Sequence, residues 1–267
     1  MSNLRKRPPA ANVLAEAFMG FEAVTVPGGL LQAGAVGRRS FHRRPVMVVP
    51  GFGANDLSTV ALRAYLRRCG YQTEGWGLGQ NNGGRGIVSD ASEISDRWNF
   101  DRESAKAVDV EVAALCDRFF ERVDERSRSL GGPISLIGWS LGGYLAREAA
   151  RELPHAVTQV ITLGSPVNGG AKHTSIAPLF RMRGVNLDLI EQTIEERNST
   201  PIDVPITAIY GTRDGVVSDY AAVDTSSPNV RNIRVSASHF GMGFNAKVWA
   251  LVQSTLEEGD RQVAEAA

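Results

Sequence analysis

The serine at position 140 has the sequence surroundings of a prepared nucleophile. Residues 138–142 read Gly-Trp-Ser-Leu-Gly and directly follow the apolar run 133–137. A serine on a sharp turn between a buried strand and a helix points its hydroxyl into open space. The flanking glycines permit such a turn because a Cβ at either position would collide with the neighbouring backbone. The pentapeptide alone is a weak signal, but with this strand before it, it predicts that Ser140 attacks a carbonyl carbon.

A serine nucleophile needs an imidazole to take its proton and a carboxylate to hold that imidazole. On a strand-turn-helix nucleophile the partners follow in the chain order serine, acid, histidine. The chain has four histidines, and three of them do not fit this order. His42 precedes the serine, His155 follows the end of the next predicted helix, and His173 precedes the strand end expected to carry the acid. His239 is therefore the candidate base.

Asp214 is the candidate acid because it directly follows the short apolar strand predicted at 205–211. Open sheets of alternating strands and helices place their working residues at the carboxyl ends of the strands. The Asp-Gly pair also favours a simple turn, so Asp219 and Asp224 stay open as substitutes. His239 follows a second short strand at 233–235. The three groups are thus expected to leave three strands at the same edge of one sheet.

Backbone N–H groups that stabilise negative charge are also predicted. A strand at 44–50 ends in the glycine-rich turn 51–55, which can present N–H groups to the site. The N–H groups of Phe52 and of Leu141, the residue after the nucleophile, are the candidate oxyanion donors. Such donors act on charge that appears only in the transition state, and each contributes about 2.7–4 kcal/mol.

Helical and strand patterns alternate along the chain, which predicts a mostly parallel sheet with helices on both faces. Beyond the strands already named, the pattern predicts helices at 58–69, 101–125, 141–152 and 245–257 and strands at 72–76, 134–138 and 157–163. Residues 168–204 interrupt this alternation with a helical middle. We expect this insertion to form a small cap over the serine, and a plain packing helix is the alternative.

Three apolar residues are candidates for contact with the substrate. Leu179 and Phe180 cluster just before the helical middle of the insertion and would face downward from a cap. Trp76 heads the glycine- and asparagine-rich loop 77–86, where lining the pocket and packing in the core are both open.

Taken together, these motifs resemble the α/β-hydrolase superfamily, and within it bacterial lipases and carboxylesterases. The likeness spans roughly residues 44–256 and includes Gly-Ser-Pro at 164–166. It implies one α/β-hydrolase domain over 1–267, with an extension at 1–43, that cleaves carboxylic esters through an acyl-serine. It also implies that no metal or other cofactor is needed. Two departures, Pro50 and Val167 where related lipases often carry histidine, bear on the substrate class.

The same triad could instead serve an acyltransferase or a thioesterase, and the scaffold could serve as a non-catalytic ligand-binding protein. The expected substrate is a small-molecule or lipid-like ester. Lys+Arg and Asp+Glu are equal at 29 each, which argues against nucleic acid as a general partner.

Two further expectations concern the environment of the protein. Cys69 and Cys116 lie on apolar faces of predicted helices and are expected to be buried free thiols. Neither a secretory signal nor a spanning run is visible, so we expect a cytoplasmic protein without stable membrane insertion. The sequence gives no indication of the oligomeric state.

Overall fold

The computed structural model describes residues 4–16 and 45–266, so His42 and most of the predicted extension lie outside the described residues. Six strands are formed in this part of the chain: β1 Pro45–Val49, β2 Gln72–Gly75, β3 Ile134–Trp139, β4 Val157–Leu163, β5 Ile206–Gly211 and β6 Val230–Val235. The α-helices are α1 Ala10–Ala15, α2 Val60–Arg68, α3 Ala107–Leu130, α4 Leu141–Glu152, α5 Ala177–Met182, α6 Leu187–Asn198, α7 Asp219–Ala222 and α8 Ala246–Ala266.

The six strands form one sheet in the order β2-β1-β3-β4-β5-β6, and every neighbouring pair is parallel. Helices cover both faces because successive side chains of a strand point to opposite sides. Met47 and Val49 pack with α3 and α4, whereas Val46 and Val48 pack with α2 and α8. The predicted architecture is therefore confirmed, and the carboxyl ends of all six strands meet at one edge.

Two predicted helix boundaries were wrong. Helix α3 begins at Ala107 rather than near 101, because residues 101–105 form a turn in which the Ser104 and Ala105 N–H groups donate to the Asp101 carbonyl. It continues to Leu130 and ends at Gly131, whose φ of 71° is left-handed. Helix α8 extends to Ala266 rather than 257, because its last two turns consist mostly of good helix formers that extend beyond the apolar stripe.

The insertion at 168–204 contains a short 3-10 turn at Gly170–His173 followed by α5 and α6. The Asn186 side chain caps α6 by accepting the Leu189 N–H. An antiparallel bridge between Thr174 and Val217 joins the insertion to the loop after β5. The insertion is thereby fixed directly to the loop that carries Asp214.

A largely buried ion cluster connects α4 and α6 to the loop between α7 and β6. The Nε of Arg147 lies 2.7 Å from an Asp224 oxygen, and the guanidinium groups of Arg151 and Arg197 pair with Glu148. Burial alone would raise the pKa of Glu148, but these three guanidinium groups hold it below its ordinary value. Asp224, one of the substitute acids, is therefore engaged in a structural ion pair.

Both cysteines are buried free thiols, as predicted. Burial raises the pKa of Cys69 to about 11 and that of Cys116 well above its ordinary value, so neither thiol is ionised near neutral pH. Over the described ranges, none of the helices combines the length and the apolar character needed to cross a bilayer.

Candidate active site

Ser140 occupies a strained turn between β3 and α4. Its φ of 54° and ψ of −123° make it the only non-glycine residue with positive φ in the described ranges. Such backbone strain costs about 1–3 kcal/mol and persists only where the surroundings enforce it. A Cβ at Gly138 would lie 2.3 Å from the Gly142 carbonyl oxygen, and one at Gly142 would lie 2.4 Å from that of Val49. The two flanking glycines therefore allow the close packing that holds the serine in place.

Asp214 and His239 form a buried pair at the ends of β5 and β6. The Nδ1 atom of His239 lies 2.8 Å from Oδ2 of Asp214, and the two residues are only 3% and 4% exposed. The other Asp214 oxygen accepts the N–H groups of Val216 and Val217 at 2.8 and 2.7 Å. A carboxylate held in this way keeps the proton on Nδ1 and leaves Nε2 able to accept one.

Several contacts connect this pair to the nucleophile turn. The indole N–H of Trp139, the residue before the serine, donates to the His239 carbonyl at 3.1 Å. The Ser140 N–H donates to the Leu163 carbonyl at 2.8 Å. A Cβ at the next residue, Gly164, would lie 2.9 Å from the Asp214 carboxylate and 3.1 Å from His239 Nδ1. Leu163 and Gly164, at the carboxyl end of β4, thus lie between the serine turn and the histidine–aspartate pair.

The turn after β1 lies against Ser140. A Cβ at Gly51 would come within 3.2 Å of Ser140 Cβ. Asn81, which is fully buried, fixes this turn by donating from Nδ2 to the Pro50 carbonyl at 2.8 Å and accepting the Gly53 N–H at 2.7 Å. Over residues 4–16 and 45–266, the N–H groups of the two predicted donors, Phe52 and Leu141, donate to no acceptor.

An apolar cavity of about 110 Å³ opens beside Ser140 and extends under the insertion. Its walls include Phe52, Val112, Tyr144, Phe180, Ile190 and Ile194. The rings of Phe52 and Phe180 lie 5.3 Å apart, so the predicted oxyanion turn and the insertion meet across the cavity. The cavity wall also contains an ion pair, in which the Arg183 guanidinium lies 2.9 Å from the Glu111 carboxylate. The space can receive a short hydrocarbon chain attached to a group at the serine.

Of the three predicted pocket residues, only Phe180 lines this cavity. Leu179 is 46% exposed on the outer side of α5, because adjacent residues of a helix do not face the same way. Trp76 is fully buried, with its ring 6.5 Å from Phe119 and its N–H donated to the Gly79 carbonyl. For Trp76 the core alternative is the one the structure supports.

The prediction missed two polar residues near the site. Asn81 was read only as part of a loop, although its amide secures a turn thirty residues earlier in the chain. No motif pointed to Glu16, yet its carboxylate accepts the His239 N–H at 2.7 Å. Neither residue stands in a local motif, because each makes its contact at a distance along the chain.

No protein-family model and no curated protein matches this chain. Solved structures do. The chain is similar to lipase BlEst2 of Bacillus licheniformis in its mature form, at 14% identity and a TM-score of 0.54, over 82% of this chain and 94% of that one. It is similar to MGS-MChE2, an α/β hydrolase enzyme from a sediment metagenome of the lagoon of Mar Chica, Morocco, at 15% identity and a TM-score of 0.53, covering 82% and 93% of the two chains.

A third likeness is to a structure of the metagenome-derived lipolytic enzymes LipS and LipT, at 15% identity and a TM-score of 0.51, over 82% of this chain and 94% of that chain. Together with the parallel sheet and the helices on both its faces, these likenesses establish the fold. The protein has the α/β-hydrolase fold, as the sequence motifs predicted.

Proposed function

We propose that the protein hydrolyses carboxylic esters through an acyl-serine intermediate. The observation that carries the proposal is the buried His239–Asp214 hydrogen bond at the same sheet edge as the strained Ser140. A hydroxyl, a carboxylate and an imidazole in this chain order are the parts of a serine hydrolase. The likeness of the fold to a lipase and to lipolytic enzymes supports the same class of reaction.

In the first half of the reaction, Nε2 of His239 takes the Ser140 proton as the hydroxyl oxygen attacks the ester carbonyl carbon. The N–H groups of Phe52 and Leu141 donate to the oxyanion that forms. Asp214 holds the imidazole in the required tautomer and stabilises its charged form. His239 then gives the proton to the departing alcohol, which leaves the acyl group on the serine.

In the second half, water takes the place of the alcohol. His239 removes a proton from the water, the resulting hydroxide attacks the acyl-serine, and the acid departs as Ser140 regains its proton. Every step uses side chains and backbone of this chain alone. If an added alcohol or thiol competed with water for the acyl group, the protein would instead be an acyltransferase.

The cavity supports an ester whose acyl group is short and apolar. An apolar cavity of about 150 Å³ holds a six-carbon benzene ring, and by proportion the present cavity has room for about four carbons. The cavity wall is mostly hydrocarbon and aromatic, so each methylene placed there gains about 0.8 kcal/mol from leaving water. We therefore expect esters of short fatty acids to be the preferred substrates.

The test of the proposal is covalent labelling combined with hydrolysis of p-nitrophenyl butyrate. A fluorophosphonate probe should label the wild type at Ser140, and Ser140→Ala should abolish labelling and lower kcat by about 10⁶-fold. Ser165→Ala is the matched control, because Ser165 is a buried serine packed against the same helix at Gly143. A Ser140→Ala variant that kept most of the activity would end the proposal.

A further inference from the structure

The N-terminal segment lies across the two loops that carry the proposed acid and base. Asn12 and Glu16 are four residues apart, so both point from the same side of α1 and its end. The Asn12 side-chain amide donates to the Thr212 carbonyl at 3.1 Å and to that of Asp214 at 3.3 Å. Asn12 thus contacts the main chain of the loop 212–218 after β5, which carries Asp214 and is called the acid loop below. Glu16 makes further contacts.

The Glu16 carboxylate joins the acid loop to the histidine loop, the loop 236–240 after β6 that carries His239. One of its oxygens accepts the N–H of Gly215 at 2.8 Å and that of His239 at 2.7 Å, and the other accepts the Phe240 N–H at 3.4 Å. The residue is only 8% exposed. A buried carboxylate is costly without partners, and these three amide donors supply them.

The acid loop has a glycine where the N-terminal segment packs against it. A Cβ at Gly215 would lie 2.3 Å from the Asn12 carbonyl oxygen and 2.7 Å from Glu16 Cγ. Only a glycine allows the approach that brings the carboxylate within reach of both loops. Residue 215 directly follows the acid and residue 239 is the base, so each main-chain bond lies next to a side chain of the proposed triad.

We propose that Glu16 is a positioning residue for the hydrolytic site. By binding the main chain at Gly215 and His239 together, its carboxylate keeps the imidazole aligned between Asp214 and Ser140. This inference rests on the proposed function. A misplacement of about 1 Å at a reacting group can cost on the order of 10²-fold in rate, so the loss of this link should lower kcat and leave KM little changed.

Glu16→Gln is the sharpest variant, because it keeps the size of the side chain. Its single amide oxygen must accept both the Gly215 and the His239 N–H without a negative charge, and its NH₂ group then faces the Phe240 N–H. Glu93→Gln is the matched control, since Glu93 also accepts a main-chain N–H, from Ser89 at 3.0 Å, in an exposed loop. The measurements are kcat and KM for p-nitrophenyl butyrate, the rate of fluorophosphonate labelling of Ser140, and Tm.

We expect Glu16→Gln to lower kcat and the labelling rate by at least about tenfold, with KM within twofold and Glu93→Gln unchanged. Glu16→Asp, which keeps the charge, should recover part of the loss, and the same criterion applies to it if Glu16→Gln does not fold. A lower Tm with kcat and labelling kept within twofold would overturn the inference and leave the proposed function standing. A wild type that is neither active nor labelled would overturn both.

Discussion

Under the proposed function, acyl-chain preference should follow the size of the cavity, and Phe180→Ala should change it. The Phe180 ring forms part of the cavity wall and faces Phe52 at 5.3 Å. Removing the ring lengthens the space available to an acyl chain bound to Ser140. The neighbouring Leu179 offers a matched control, because its side chain is exposed on the outer side of the same helix.

The expected magnitude follows from the volume. With room for about four carbons beyond the carbonyl, each methylene up to that length adds about 0.8 kcal/mol. From acetyl to butyryl the gain is about 1.6 kcal/mol, which is about 15-fold in kcat/KM. The increase should stop near pentanoyl, because a longer chain has no further apolar volume to enter unless the insertion moves.

The assay is kcat/KM for p-nitrophenyl esters of two to sixteen carbons, run on the wild type, Phe180→Ala and Leu179→Ala. In Phe180→Ala we expect the optimum to move to longer chains and the butyryl ester to lose activity, while Leu179→Ala keeps the wild-type profile. A wild-type profile that rises steadily to decanoyl, or a Phe180→Ala profile that is unchanged, would show that the acyl chain lies elsewhere.

Two further predictions concern stability. Arg147→Met should lower the free energy of unfolding by about 3–5 kcal/mol, because it leaves the Asp224 carboxylate buried without its partner; a loss below about 1 kcal/mol in urea denaturation would contradict this. The guanidinium groups around Glu148 hold its pKa below the ordinary value despite burial. The ionised carboxylate therefore adds its full share to the free energy of unfolding above an unfolded pKa of about 4.3, and this share is lost as pH falls through the folded pKa. Tm should therefore fall between about pH 5 and pH 3, and the fall should be shallower in Glu148→Gln; equal slopes in the two proteins would be evidence against the assignment.

Local pattern was enough to predict which polar side chains lie at the carboxyl ends of the strands. Ser140, Asp214 and His239 each follow a short strand, and the carboxyl ends of parallel strands meet at one edge whatever the details of packing. The order of the motifs along the chain then left one histidine, and the structure places its ring against Asp214. Chain order and the 3.6-residue and two-residue periods are properties of the sequence itself, so this much of the fold could be read from it.

The direction in which a single side chain points could not be predicted from the sequence in the same way. Helix α5 has only six residues, too few for an apolar period to distinguish Leu179 from Phe180, and packing against Phe52 decides which of them faces the cavity. Trp76 follows a strand end just as Asp214 does, but its large ring fills space beside Phe119. Whether an aromatic residue lines a pocket or fills the core depends on neighbours that come from other parts of the chain.

The contacts that secure the site lie furthest from any local signal. Asn81 reaches back to Pro50, and Glu16 reaches a histidine more than two hundred residues later. Both side chains bind main-chain atoms, which every residue has. The sequence of the segment that they bind therefore gives no sign of the contact, unless the close approach requires a glycine. For Glu16 that glycine is Gly215, where a Cβ would collide with the Asn12 carbonyl and with Glu16 itself. Gly51 lies against Ser140 instead and does not mark the Asn81 contact. A glycine beside a predicted catalytic residue is therefore where a search for supporting contacts should begin, and at Gly215 it leads directly to Glu16.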